Sequence, residues 1–249
     1  MTTEEVMDCL QLVRDSLREL YLADSKSIFT PHSPLASHTP DPILLPNLKS
    51  LILSTSPPGR LFSQLSLPAL RTLVLENAYP YDPDAVHWIQ GDFFSFLSRS
   101  KCPLEVLELK NTKMKADEFI QCLRLVCDSL RRLCVRDSAS VTITEESLNA
   151  LMIRGSAADD IIFPKLEKLE LIGNLSSSTS VIADLFASRV PDAGGTRLKS
   201  GIIQFTGNVE AEELEHLKRF GIEDLGVEVL NAQGYSLIGG SRRSNCKLQ

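Results

Sequence analysis

Residues 166–171 read Leu-Glu-Lys-Leu-Glu-Leu, and the same leucine pattern, with aliphatic or glycine variants, recurs along the chain. Its seven copies begin at Leu17, Leu48, Leu70, Leu104, Leu130, Leu166 and Leu198. Successive copies start 22 to 36 residues apart, which is the irregular, long spacing of a repeat array. Eight residues after each first leucine comes a small residue that suits a turn out of a strand. These residues are Ser25, Ser56, Ala78, Thr112, Ser138, Asn174 and Thr206.

The leucines explain why such copies must stack. In each copy the fourth and sixth positions would point inward from a short strand, and the first would lie at the bend into it. One such slice cannot bury its own leucines, so neighbouring slices must close a continuous core. The pattern therefore predicts an α/β fold, a leucine-rich-repeat solenoid of about seven irregular repeats. A curved parallel sheet would line the concave side, with helices and irregular segments on the convex side. Chance recurrence in amphipathic helices would not place small residues at one fixed offset.

Residues 1–230 are predicted to form a single array, with residues 1–16 as an amphipathic N-terminal capping helix. Further helices are expected near 93–100, 116–128, 144–153, 179–190 and 210–220, with Thr144 as an N-cap. The stretch 24–43 is rich in serine and proline and is predicted to be a surface insertion, as is the irregular stretch 54–68. Residues 231–249 are predicted to be a flexible C-terminal tail.

Composition restricts the class of protein. The net charge of −6 argues against nucleic acid as a partner, because phosphate binding depends on clustered lysine and arginine. The acidic N-terminus does not resemble a signal peptide, and no apolar run has the roughly 18 residues of a membrane span. The six cysteines include no Cys-x-x-Cys pair, which favours reduced thiols and a cytoplasmic or nuclear protein.

The sequence offers no catalytic constellation. Its four histidines, His32, His38, His87 and His216, form no pair with metal-ligand spacing. No glycine-rich phosphate loop follows a predicted strand. We therefore predict no catalytic residue, no metal site and no cofactor, and a protein that is not an enzyme.

The repeat register predicts the concave surface, because the third, fifth and seventh motif positions face that side. The candidate partner-binding residues are Tyr21, Ile52, Val74, Glu76, Glu108, Lys110, Arg132, Arg136, Lys168, Glu170 and Ile202. Four of them, Lys110, Arg132, Arg136 and Lys168, are predicted to form a cationic patch. A face of mixed apolar and charged residues suits a protein partner. The alternative is a solvated strand face whose charges serve solubility.

The chain ends in Cys246-Lys247-Leu248-Gln249, which resembles a C-a-a-X prenylation signal with upstream Arg242 and Arg243. Lys247 departs from that pattern because it is not aliphatic. If Cys246 is prenylated, the protein would associate peripherally with membranes, the basic residues supplying part of a second signal. The alternative function is then a membrane-tethered adaptor or signalling protein.

Several phrases are similar to those of leucine-rich-repeat regions in F-box-like proteins of mushroom-forming fungi. They are FFSFLSRSKCPLEVLEL at 93–109, VTITEESLNALM at 141–152, FPKLEKLEL at 163–171, and VIADLFASRV with LKSGIIQF between 181 and 205. The resemblance covers roughly residues 15–225. It implies a non-catalytic recognition scaffold like the substrate-binding part of an F-box ubiquitin-ligase subunit, with the cullin-RING adaptor as a further partner. Residues 1–16 are too short for an F-box, so we expect a truncated product or a relative that lacks one.

Overall fold

The computed structural model describes residues 3–23, 41–55, 59–77, 90–137, 143–153, 163–173, 175, 179–189, 198–207, 209–219 and 226–238. In this part of the chain, nine strands form one sheet and neighbouring strands follow each other in chain order. They are β1 (Glu19–Ala23), β3 (Ser50–Thr55), β5 (Thr72–Asn77), β6 (Val106–Lys110), β7 (Arg132–Asp137), β8 (Lys168–Gly173), β9 (Ser200–Phe205), β10 (Val227–Leu230) and β11 (Ser236–Ile238). All pairings are parallel except the last. The chain is a leucine-rich-repeat solenoid, as predicted.

Helices cover the other side of the sheet. They are α1 (Thr3–Val13), α2 (Gly59–Gln64), α3 (Gln90–Ser100), α4 (Ala116–Val126), α5 (Glu145–Leu151), α6 (Thr179–Ala187) and α7 (Ala211–Arg219). A small parallel sheet of β2 (Ile43–Leu44) and β4 (Leu65–Ser66) lies outside the main one. From α2 to α7, each helix contacts the next helix along the chain, so each coil packs on its neighbours.

The strands stack with the motif copies in register. The third motif positions are partners from strand to strand, from Glu19 and Ser50 at one end to Lys168 and Ser200 at the other. Leucines at the fourth and sixth positions are therefore brought together in the core, as Leu73 (0% exposed) and Leu75 (2% exposed) show. Burying each such side chain stabilises the fold by roughly 1.5–3 kcal/mol. In the first copy, Leu17, Leu20 and Leu22 are only partly buried.

One copy has glycine at the fourth position, and the structure explains it. A Cβ on Gly201 would lie 2.5 Å from Cε1 of Phe186 on α6 and 3.0 Å from a methyl of Val227 on β10. The phenyl ring, itself buried, fills the volume that a leucine occupies in the other copies. The glycine variant is therefore part of the packing.

Two arginines tie neighbouring coils together on the helical side. Arg99, at the end of α3, donates to the carbonyls of Phe62 (2.7 Å) and Leu65 (2.7 and 3.1 Å). Arg189, which follows α6, donates to the carbonyls of Leu151 (2.6 and 3.1 Å) and Phe163 (3.3 Å). Each guanidinium thereby satisfies carbonyls that follow or end the short helix of the preceding coil. Burial lowers the pKa of Arg189 to about 10, and it stays protonated at neutral pH.

The serines next to these two arginines in the sequence also bond the backbone of the preceding coil. The Ser100 hydroxyl accepts from the Leu67 N–H at 3.1 Å, and the Ser188 hydroxyl accepts from the Ile153 N–H at 3.2 Å. The Ser188 hydroxyl also donates to the Leu185 carbonyl at 2.7 Å. In both places, a serine and an arginine at the end of one helix bond the segment that follows the preceding helix.

Several boundaries differ from the sequence-based expectation. The stretch 54–68, predicted to be irregular, contains the helix α2, and the predicted tail from 231 begins with a turn and the strand β11, which pairs with β10. The helix was missed because its six residues are too few to show a helical period, and the strand was missed because it lacks the leucine motif. Most of the predicted insertion 24–43 lies outside the described residues, although its last residue begins β2. Thr144 does cap α5, its side chain accepting from the Ser147 N–H.

Candidate functional site

The concave face carries three parallel rows of side chains, which follow from the strand register. The entry row consists of Glu19, Ser50, Thr72, Val106, Arg132, Lys168 and Ser200. The central row consists of Tyr21, Ile52, Val74, Glu108, Cys134, Glu170, Ile202 and Glu228. The exit row consists of Ala23, Ser54, Glu76, Lys110, Arg136, Ile172, Gln204 and Leu230.

The first three members of the central row form an apolar strip of Tyr21, Ile52 and Val74. They are consecutive register partners on β1, β3 and β5. Tyr21 is 64% exposed, Ile52 is partly buried and Val74 is 9% exposed, so the strip is most open at the N-terminal end of the array. It is flanked by small residues at Ser50, Thr72, Ala23 and Ser54, and by glutamates at Glu19 and Glu76.

The middle of the concave face holds an ion-pair cluster of Glu108, Lys110, Arg132, Lys168 and Glu170. Arg132 Nη2 lies 3.2 Å from Glu108 Oε1 and 3.0 Å from Glu170 Oε1. Lys110 Nζ lies 3.3 Å from Glu108 Oε2, and Lys168 Nζ lies 2.9 Å from Glu170 Oε1. One chain of ion pairs thus spans β6, β7 and β8.

The two carboxylates of this cluster are its most buried groups. The side chains of Glu108 and Glu170 are 14% and 11% exposed, against 37% for both Arg132 and Lys168. Burial acts to raise the pKa of Glu170, but the hydrogen bond from Lys168 and the charges of Arg132 and Lys168 outweigh it, so the pKa is lowered. Glu170 is therefore ionised at neutral pH. The Arg132 Nε is buried and has no hydrogen-bond partner among the described residues.

Cys134 lies between the two carboxylates in the central row and is 4% exposed. Burial, with the negative charges of Glu170 and Glu108, raises the pKa of its thiol to about 12. A protonated, buried thiol is neither a nucleophile nor a ready metal ligand. Cys134 therefore fills the space between the two carboxylates in the central row.

This geometry corrects the predicted cationic patch. Lys110, Arg132 and Lys168 each form an ion pair with Glu108 or Glu170. The repeat register had placed both glutamates on the same face as these cations. Of the four predicted cations only Arg136 is exposed without an ion pair to another described side chain. The positive charge is thus largely neutralised within the protein. The sequence assigned each residue to a row of the concave face. It did not show that ion pairs form diagonally, between different rows on neighbouring strands.

The remaining predicted residues do not join the cluster. Glu76 is exposed in the exit row, next to Lys110 in the register, and no ion pair between the two is formed in the described part of the chain. Ile202 lies on the far side of Glu170 in the central row and is partly buried. Cys246, the predicted lipidation residue, lies outside the described residues.

A second row of charges was not predicted. It lies where the chain enters the strands, at the second motif position. Glu167 Oε1 lies 2.9 Å from Arg131 Nη1, and Glu167 Oε2 lies 2.9 Å from Lys199 Nζ; Arg71 pairs with Glu105 in the same way. The hydrogen bond from Lys199 is the main reason that the pKa of Glu167 is lowered. The signal was present in the sequence, since the second position is charged in every copy.

The described residues contain no group of three or more His, Cys, Asp or Glu side chains that could hold a metal ion. A shallow cleft of about 500 Å³ lies at the C-terminal end of the array, and its lining includes Thr206, Asn231 and Gln233. None of these three side chains is a general acid or base. None of the helices in the described ranges combines the length and apolar character needed to cross a bilayer.

No family model matches the sequence, and no curated protein is similar to it. Among solved structures, the crystal structure of the leucine-rich repeat-containing protein LegL7 from Legionella pneumophila is similar. The two chains are 14% identical, the match covers 77% of each, and the TM-score is 0.38.

Proposed function

We propose that this protein is a non-catalytic recognition scaffold whose concave face binds another protein. The observation that carries the proposal is that the apolar strip adjoins the ion-pair cluster on the concave face, where Val74 and Glu108 are register partners. Protein interfaces combine an apolar, aromatic-rich core with a polar rim. On the concave face, Tyr21 and Arg136 are exposed, and tyrosine and arginine are among the residue types that most often contribute binding energy.

The ion-pair cluster favours a protein over a nucleic acid as the partner. Its lysines and arginine already neutralise buried carboxylates, so few cations remain to replace counterions on phosphates. Side chains held by one another also lose little conformational freedom when a partner binds, which reduces the cost of association. A partner with complementary polar groups would contact a surface that is already ordered.

The experiment is affinity purification of the tagged chain from its own cells, with quantitative mass spectrometry. Wild type is compared with a Tyr21→Ala, Arg136→Glu double variant, which changes two exposed concave residues. The matched control is Leu125→Ser, because Leu125 is 40% exposed on α4, away from the concave face. A protein lost from the double variant and kept by the control supports the proposal. If the double variant retains every protein that wild type recovers, the concave face is not the binding site.

A finer proposal follows from the resemblance to F-box-like proteins. The array would select substrates for a ubiquitin ligase, and the phrase at 93–109 that carries part of the resemblance spans the junction between α3 and β6. The same purification tests it, because a ligase subunit would recover the cullin-RING adaptor together with the cullin. Their absence beside a concave-face partner would favour a stand-alone binding array.

The alternative proposal is a membrane-tethered adaptor, carried by the sequence Cys246-Lys247-Leu248-Gln249. Prenylation of Cys246 would give weak, reversible membrane binding that the nearby arginines strengthen. A Cys246→Ser variant should then move from the membrane fraction to the supernatant. Equal partitioning of wild type and variant would rule out the tether and leave the cytoplasm or nucleus as the proposed location.

A further inference from the structure

The strand β1 ends the main sheet, and its outer edge has no neighbouring strand among the described residues. The Arg18 carbonyl accepts from the N–H groups of Lys49 and Ser50 at 2.7 and 3.2 Å, so it points toward β3. Backbone groups of successive strand residues point to opposite sides. The N–H and C=O groups of Glu19, Tyr21 and Ala23 therefore point to the open edge.

The core behind this edge is also incomplete. Leu20 and Leu22 are only partly buried, whereas their register partners Leu51 and Leu53 are 0% and 1% exposed. The capping helix α1 packs against β2 and buries Val6, Met7 and Leu10. Additional apolar burial is thus available to whatever pairs with β1.

The two ends of the sheet differ in how they are protected against pairing. The last strand, β11, has only three residues, its pairing with β10 contains a register irregularity, and the Ser236 hydroxyl donates to the Ile238 carbonyl at 2.7 Å. Short strands and irregularities are the usual means of blocking an edge. The strand β1 has five residues, regular pairing and neither proline nor lysine.

We infer that the β1 edge pairs with the β1 edge of a second copy of this chain, antiparallel, with Tyr21 opposite Tyr21 of that copy. In this register Glu19 faces Ala23 of the second copy and the reverse, so every outward N–H and C=O of the three residues is bonded. Only an axis at residue 21 pairs these three residues with one another. The same register places Leu20 opposite Leu22 of the second copy and brings no two glutamates together.

The occupant is a second copy because the edge is self-complementary. An interface with two-fold symmetry uses the same patch on both partners, and this strand matches itself in hydrogen bonds, in leucines and in the central tyrosine pair. Aromatic pairs across neighbouring strands add to the stability of a sheet. The two-fold axis is perpendicular to the sheet, so both concave faces open to the same side and the apolar strip of Tyr21, Ile52 and Val74 continues into the second copy.

The test is sedimentation of the full chain over a range of concentrations. Wild type should show a reversible monomer–dimer equilibrium. Tyr21→Pro removes an N–H that points to the open edge, not to β3, and should weaken association by about tenfold or more. Tyr21→Ala keeps that N–H and should weaken association less. A wild type that stays monomeric at its solubility limit would overturn the inference, as would a dimer that Tyr21→Pro leaves unchanged.

A cross-linking variant decides the register even if the proline variant does not fold. Tyr21→Cys, in a background with Cys9, Cys127 and Cys246 changed to serine, should form a disulfide-linked dimer under mild oxidation, because Cα atoms of opposed residues lie within disulfide reach. The matched control is Ile52→Cys, which is one strand further from the axis and should remain monomeric. Equal cross-linking of the two variants would contradict the proposed pairing.

Discussion

The guanidinium of Arg132 on β7 lies 3.0 Å from the carboxylate of Glu170 on β8, and the two residues are diagonal neighbours across the strands. The direct register partner of Arg132 is Lys168, and that of Glu170 is Cys134. The parallel register therefore places one carboxylate between two cations, since Lys168 also bonds Glu170. Ion pairs on the concave side therefore hold these two neighbouring coils together, in addition to the leucines that pack in the core.

Replacing Glu170 by glutamine should destabilise the protein. The change leaves Arg132 and Lys168 close together without the buried carboxylate that separates them, and we expect a loss of about 1–3 kcal/mol in the free energy of unfolding. Urea denaturation at neutral pH measures it. The control is Glu76→Gln, an exposed exit-row residue, which should change stability by no more than about 0.5 kcal/mol. Equal effects would show that the cluster contributes nothing specific.

The difference in stability between wild type and Glu170→Gln should depend on pH. The pKa of Glu170 is lower in the folded protein than its usual value, so the unfolded chain takes up the proton first as pH falls. The stability from its ionised form is complete above the usual glutamate pKa and is lost as pH falls through the lowered value. The difference between wild type and Glu170→Gln should therefore shrink in acid. A difference that persists at the lowest pH where both proteins fold would contradict an ionic origin.

Arg189→Met should be among the more destabilising single changes on the helical side. It removes donors to the Leu151 and Phe163 carbonyls and leaves both acceptors in a site where Arg189 is 2% exposed. Phe163 also has a φ of +65°, an unfavourable backbone for a bulky residue that this bond helps to hold. We expect a loss of about 2–4 kcal/mol by thermal or urea denaturation.

The comparison that isolates burial is Arg99→Met. Arg99 donates to equivalent carbonyls of the earlier coil but is more exposed, so water can replace part of what it supplies. Arg99→Met should therefore lower the free energy of unfolding less than Arg189→Met does. The reverse order would mean that burial of the guanidinium does not determine the effect.

The fold was predictable because the leucine motif specifies both a strand and its register. Leu107 and Leu109 are buried and Glu108 faces the concave side, which follows from the period of two in a strand. The strands β10 and β11 were missed because their sequence lacks the three-leucine signature. Instead, β10 pairs with β9 and buries Val227 and Val229, so alternating valines rather than the leucine motif supply its core face.

The site was predictable at the level of which residues face the concave side. What the motif could not indicate was which charges neutralise one another, because Arg132 contacts Glu108 and Glu170 on two different strands. The hydrogen bonds that two arginines make between coils were not predicted, for a similar reason. Arg99 and Arg189 lie outside the leucine motif, and their partners are backbone carbonyls 34 to 38 residues away for Leu65 and Leu151.

Thiol reactivity should divide the cysteines by burial. Burial raises the pKa of Cys102 to about 11, and that of Cys122 and Cys134 to about 12. These three should resist a maleimide reagent in the folded protein at mildly alkaline pH, whereas Cys9 is exposed and should react rapidly. Peptide mapping after brief labelling identifies the modified residues. Rapid modification of Cys134 would show that the central row opens in solution.

Gly201→Ala should destabilise the array at its sixth-to-seventh coil junction. The added methyl would lie 2.5 Å from Phe186 Cε1, closer than packed carbons allow, so the ring must move within a buried site. Overpacking of this kind costs about 1–3 kcal/mol. Gly91→Ala is the matched control, because a Cβ there meets nothing within 4 Å on α3 and alanine favours a helix.

A second substitution can establish that the phenyl ring is the cause. Phe186→Leu removes the ring atoms that the new methyl would contact, so the double variant Gly201→Ala, Phe186→Leu should lose less stability than the sum of the two single variants. Neighbouring side chains that share a volume show such coupling, of about 0.5–3 kcal/mol in a double-mutant cycle. Additive losses would mean that Val227, whose methyl lies 3.0 Å from the added Cβ, limits the site instead. Coupling would instead show that glycine at the fourth motif position depends on the aromatic side chain that the preceding helix supplies.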